Sequence, residues 1–144
     1  MAAVRGAFGY FNTFGGNPVC CAAAMAVLDV LEDEALQANA EASGAHALDR
    51  LRALDHPLIA EARGRGLFFG LELTHGDGSP ATLRAAQLVE TMRSRGILLN
   101  RIGRHMNTVK MRPPMPFSRA HADLALDGLT AAFSELPDTR PDNG

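Results

Sequence analysis

Two short stretches of this chain hold residue types that could do chemistry. Thr13-Phe14-Gly15-Gly16-Asn17-Pro18 sets a hydroxyl beside a glycine pair that runs straight into a helix start. Asn17 can cap that helix, and Pro18 suits its first position, where the missing N–H is not needed. The open N–H groups of such a turn, with the Thr13 hydroxyl, suit an anion, most simply a phosphate. Taken alone, a short glycine match is weak evidence, and a capped helix after a tight loop is the plainer reading.

The second stretch is Lys110-Met111-Arg112. Alternation along a strand sends both cations to one side, beside the corner Pro113-Pro114 and after the basic loop residues Arg101 and Arg104. Arginine grips a carboxylate or phosphate with a bidentate fork, and lysine meets it as a point charge. Two cations on the exposed face of an edge strand, guarding it against aggregation, fit the same pattern equally well.

Other groupings carry less. Ser43, His46 and Asp49 stagger along a helix without converging as a nucleophile and base must, so they read as a solvated helix face. His46, His56, His75, His105 and His121 never fall into metal-ligand spacing, and no metal site is expected. Cys20 and Cys21 are helix neighbours that cannot pair without strain, and two buried thiols are expected. Gly64-Arg65-Gly66 reads as a turn with an exposed arginine, since no helix N-terminus follows it.

The chain has 144 residues, enough for one ordinary domain or a small domain plus part of another. Its apolar fraction of 47% and charged fraction of 21% are those of a soluble globular protein. A net charge of −2 with scattered arginines argues against nucleic acid and anionic membrane as partners. Residues 1–5 lack the pattern of a signal peptide and no apolar run is long enough to span a bilayer, so the cytoplasm is the expected location. Of fourteen basic residues only Lys110 is a lysine, which restricts the covalent chemistry the chain can do alone.

Residues 1–17 read as a loop belonging to another domain: Phe8, Tyr10, Phe11 and Phe14 are large apolar groups with no preceding element to pack on. A long connecting helix, or a pair kinked near Asp33-Glu34, is expected over 18–54, ended by His56-Pro57. A small domain follows over 55–137. Strands are expected over 58–63 and 67–74, with Leu67, Phe69, Leu71 and Leu73 on one side. A helix from Pro80 or Ala81 closes at Gly96, strands follow over 97–100 and 108–112, and Ser118 caps a last helix. In that helix Ala122, Leu124, Ala125, Leu129, Ala132 and Phe133 are expected to face inward, and residues 138–144 form a disordered tail. The order implies an α+β fold: a long N-terminal connecting helix, then a small, largely antiparallel sheet with helices on one face.

Several segments, in order, resemble one family. Thr13-Phe14-Gly15-Gly16-Asn17-Pro18, Val27-Leu28-Asp29-Val30-Leu31-Glu32, Arg63-Gly64-Arg65-Gly66-Leu67-Phe68 with Gly70 and Glu72, Arg95-Gly96-Ile97-Leu98, and Val109-Lys110-Met111-Arg112-Pro113-Pro114 are similar to the C-terminal part of class III (omega-type) pyridoxal-phosphate aminotransferases. Any one of these matches is weak, but together they are specific. The resemblance implies the C-terminal domain of the PLP-transferase fold type I, in a homodimer that moves an amino group from an amine or amino acid to a keto acid or aldehyde. It implies that Thr13 reaches across the dimer to the phosphate of the neighbour's pyridoxal 5'-phosphate.

The resemblance also sets limits. The family's Schiff-base lysine lies upstream of the Thr13 motif, and Lys110 cannot replace it from a C-terminal strand. The chain alone is therefore expected to be inactive and not to hold the cofactor by itself. Many members place a carboxylate-binding arginine where Lys110 stands. The Lys-x-Arg-Pro-Pro version looks more like alanine–glyoxylate-type aminotransferases and phosphoethanolamine phospho-lyases, so Lys110 and Arg112 are the expected substrate-side residues. A non-catalytic dimerisation module left from a truncated gene is the alternative of a different kind.

Overall fold

The computed structural model describes Thr13 and residues 15–136; the aromatic cluster Phe8, Tyr10, Phe11 and Phe14, the stretch 1–5 and the tail 138–144 lie outside the described residues. The chain forms two compact units, Met1–Ala35 and Leu36–Gly144.

In the first unit, helix α1 (Pro18–Asp33) starts as its sequence dictates. Asn17 is extended, with φ −71° and ψ 151°, and its side chain accepts the Cys20 N–H at 2.9 Å. Gly16 supplies the left-handed turn before it, at φ +82°. Among the described residues none of α1 is buried, and Val19, Met25, Val27 and Leu28 are exposed. Cys20 and Cys21, expected to be buried thiols, are exposed for the same reason. Where a kink near Asp33-Glu34 was expected, the helix breaks: Glu34 ends it and Ala35 turns left-handed at φ +48°.

The second unit runs α2 (Leu36–Arg52), β1 (Ile59–Arg65), β2 (Phe68–Leu73), α3 (Thr82–Ser94), β3 (Asn100–Ile102), β4 (Thr108–Met111) and α4 (Arg119–Ser134). The sheet is antiparallel throughout, in the order β1-β2-β4-β3. Alternation along β2 holds as expected: Leu67, Phe69, Leu71 and Leu73 are all buried. They share one core with Val109 of β4, Leu48 and Leu51 of α2, Leu88 and Met92 of α3, and Leu129 and Phe133 of α4. Burying each of the larger side chains contributes about 1.5–3 kcal/mol before the cost of ordering it. The helices thus cover one face, and the face carrying Gly70, Glu72 and Lys110 is turned away from that core.

Three details depart from the sequence expectations. The turn between β1 and β2 is Gly66-Leu67, since Arg65 pairs with Phe68 and Gly64 and Arg65 belong to the strand. Gly66 takes φ +53°, and Gly44 of α2 packs so close that a Cβ there would lie 2.0 Å from the Gly66 carbonyl oxygen. The third strand begins at Asn100 rather than at residue 97. Ile97 instead packs on the core while Leu98 stands 82% exposed, because the ladder exists only where β4 faces it, from Asn100 opposite Lys110 to Ile102 opposite Thr108. In α4, Ser118 caps as expected, with His121 completing a reciprocal capping box. Leu124, however, is 69% exposed, and Leu126 takes the inward position.

No helix of the described residues is long and apolar enough to cross a membrane.

Candidate functional site

In the first unit, Thr13 lies exposed on a bend, ahead of the Gly15-Gly16 turn. The Asn17 amide donates to Cys20 Sγ at 3.0 Å while its oxygen caps the helix, so the loop enters α1 by a single fixed route.

In the second unit the polar face of the sheet carries Lys110, whereas Arg112 lies just beyond the end of β4. Lys110 lies in β4, between β2 and β3, so the edge-strand reading of the cation pair is overturned: its strand is paired on both sides. Lys110 is opposite Gly70 on one side and Asn100 on the other. Its half-buried ammonium makes no hydrogen bond or ion pair with any described residue. Arg112 follows the strand, exposed, at the start of the Pro113-Pro114 corner. Arg101, read as a basic loop residue, lies in β3, donates to the carbonyls of Thr82 and Met106 and ties the β3–β4 loop to the start of α3.

Next to Lys110 is a group that strand alternation alone does not single out. Arg63 Nη1 donates to Glu72 at 2.7 Å and to Glu61 at 2.5 Å, and the two carboxylates, Glu72 first, hold its pKa above the ordinary arginine value. The available signal was the alternation Glu61, Arg63 on β1 facing Glu72 on β2, but it acquires meaning only once the register is known.

Ser43, His46 and Asp49 do not form a triad, as expected; Asp49 is exposed, as on a solvated face, but Ser43 and His46 are not part of one. Ser43 is buried and donates to Asn39, which in turn donates to the carbonyls of Met115 and Phe117 at 2.7 and 3.1 Å. His46 meets Asp123 of α4 at 2.6 Å, and Arg50 bridges Asp123 and Asp127 at 2.7 and 2.8 Å. The hydrogen bond with His46, then that with Arg50, holds the Asp123 carboxyl below its usual range. These residues are the seam between α2 and α4, and the partner helix, some 77 residues distant, is invisible to a local pattern. Among the described residues no group of His, Cys, Asp or Glu could hold a metal.

On the helix side of the sheet, an apolar hollow of about 450 Å³ is lined by residues including Met92, Ile97, Leu99, Met111, Phe117 and Leu126, with Arg112 at its border. It offers volume but few polar groups.

The aminotransferase class-III family model matches residues 2–133. The chain belongs to the class III aminotransferases. It is 36% identical over 131 residues to alanine–glyoxylate aminotransferase 2 homolog 2 of Arabidopsis thaliana, covering 88% of this chain and 28% of that relative. A phospholyase from Arthrobacter in complex with phosphoethanolamine superimposes with a TM-score of 0.86 and 40% identity, over 94% of this chain and 33% of that one. An amine transaminase from an uncultivated Pseudomonas species, in its PLP-bound form, gives 0.78 and 33% over 91% of this chain and 30% of that one. The chain thus spans little more than a quarter of the length of the curated relatives it matches. The class III resemblance read from the motifs, including its alanine–glyoxylate and phospho-lyase side, is borne out by these matches, as is the α+β fold.

The residues present fit one part of a PLP site. A hydroxyl on an exposed bend suits a phosphate contact, whereas the only lysine lies in an interior strand of the small sheet.

Proposed function

We propose that this chain works as the C-terminal small domain of a homodimeric, cytoplasmic PLP-dependent class III enzyme that transfers an amino group from an amine or amino acid to a keto acid or aldehyde. The observation that carries this reading is the Lys110 ammonium, without a partner among the described residues, on the polar sheet face of a chain whose match to the family runs over residues 2–133. Residues 1–17 act as a loop of the large domain, 18–54 as the connection, and 55–137 as the small domain.

When bound, PLP supplies the electron sink that makes a substrate Cα proton acidic. This chain's residues bind and orient. Thr13 donates its hydroxyl to the cofactor phosphate of the neighbouring subunit. Lys110 and Arg112 hold the anionic group of the substrate, lysine as a mobile point charge and arginine as a fork. Without a lysine for the cofactor in this part of the fold, the chain by itself does not catalyse transfer.

The likeness to the Arthrobacter phospholyase favours a second reading, in which the same two cations hold a substrate phosphate that is then eliminated. Incubating the longer enzyme that carries this chain with alanine, ornithine and phosphoethanolamine separates the two. Amino transfer to a keto acid supports the first, and phosphate release from phosphoethanolamine supports the second. Neither product from a folded dimer with PLP bound would leave the non-catalytic module as the reading.

A further inference from the structure

We propose that Arg63 is a positioning residue: by engaging Glu72 and Glu61 it keeps the Lys110 ammonium available to a substrate anion. This rests on the reading that Lys110 meets the anionic group of the substrate.

The register fixes the geometry. Arg63, Gly70, Lys110 and Asn100 fall in one row across the four strands, and Glu61, Glu72, Thr108 and Ile102 fall in the next. Both rows lie on the polar face. Glu72 is therefore a diagonal neighbour of Lys110, at a separation that long side chains span. Left to itself, a carboxylate in that position pairs with the ammonium and cancels it.

Arg63 prevents this by holding Glu72 and Glu61 on one guanidinium nitrogen. Gly70 lies between Arg63 and Lys110 in this row and places no side chain between them. The outcome is an asymmetric face on which one cation holds two carboxylates and its neighbour has no partner among the described residues. Both ends of the bridge stay accessible, at 48% exposure for Arg63 and 34% for Glu72. An exposed pair of this kind adds little to stability, so a purely structural purpose explains it poorly.

Lys110 is the only lysine, which gives the full chain a single reporter. With isotope-labelled lysine, its side-chain NMR signal is followed while inorganic phosphate, and separately phosphoethanolamine, is added. The wild-type signal shifts saturably. Arg63→Gln frees Glu72 and weakens the response about ten-fold, and the double variant Arg63→Gln/Glu72→Gln recovers to within about two-fold of wild type. A residue that merely braces β1 against β2 would not be rescued by removing Glu72.

The proposal is overturned if Arg63→Gln binds phosphate like wild type, or if the double variant is as weak as the single with its unfolding midpoint unchanged. A wild-type signal indifferent to both ligands brings down the substrate reading of Lys110 and this inference together. A wild-type response that survives Arg63→Gln brings down the positioning role alone.

Discussion

Lys110 stands directly opposite Gly70 across the β2–β4 ladder, so the strand neighbour that would ordinarily shield or neutralise its ammonium has no side chain. Placing a carboxylate there makes a cross-strand ion pair with Lys110. In a PLP-dependent enzyme assembled with this chain as its small domain, Gly70→Glu is expected to raise KM for an anionic amine about ten-fold, ~1.4 kcal/mol of binding. KM for an uncharged amine should change far less. Steady-state kinetics with the two amines checks this, and equal losses for both would refute it.

Gly44 is set by contact rather than by flexibility. A methyl group there meets the Gly66 carbonyl at 2.0 Å, and backbone on both sides leaves nothing that can rotate away. Gly44→Ala should therefore destabilise by about 1–3 kcal/mol or more through overpacking. Gly128→Ala in α4 is the control: its Cβ meets the Ile97 side-chain tip at 3.1 Å, which can shift, and alanine favours the helix. That variant should stay within about 1 kcal/mol of wild type. Urea unfolding of both variants gives the comparison.

Leu71 is fully buried in an interior strand of the sheet, beneath α2 and α3. Leu71→Ala removes packed atoms and leaves a void, for an expected loss of about 2–5 kcal/mol. A cost under about 1 kcal/mol in urea unfolding would mean the core is placed wrongly.

His56 stacks on Phe133 with ring centroids 4.6 Å apart, and burial holds its pKa below the ordinary value of 6.5, against a smaller opposing pull from Asp55. The unfolded chain therefore takes up the proton first. Stability from the neutral ring is fully present above pH 6.5 and is lost as pH falls from there through the folded-state value. Measured between about pH 7.5 and about pH 5.5, unfolding free energy should drop in wild type and drop less in His56→Phe. Identical slopes would contradict the assignment.

Much of this fold could be read from local pattern because its signals are local. The alternation from Leu67 to Leu73, the Asn17-Pro18 start and the Ser118 cap each depend on neighbours within a few residues. What escaped depends on partners distant in sequence. His46 and Arg50 look solvated until α4 brings up Asp123, and β3 starts at Asn100 only because Lys110 is there to pair with it. The candidate residues divide in the same way. Thr13, Lys110 and Arg112 carry recognisable motifs, whereas the bridge from Arg63 to Glu72 is a consequence of register, which composition and spacing do not encode.

The most direct test joins this chain to the upstream part of the Arthrobacter phospholyase and measures turnover of phosphoethanolamine and of amino acids with PLP present. The expected result is a PLP-dependent dimer in which Thr13→Ala raises the PLP concentration needed for half-maximal activity. In the same dimer Lys110→Ala raises KM for the anionic substrate while leaving PLP affinity unchanged. A folded, PLP-loaded dimer without turnover, or one whose turnover ignores both substitutions, would contradict the small-domain reading of this chain.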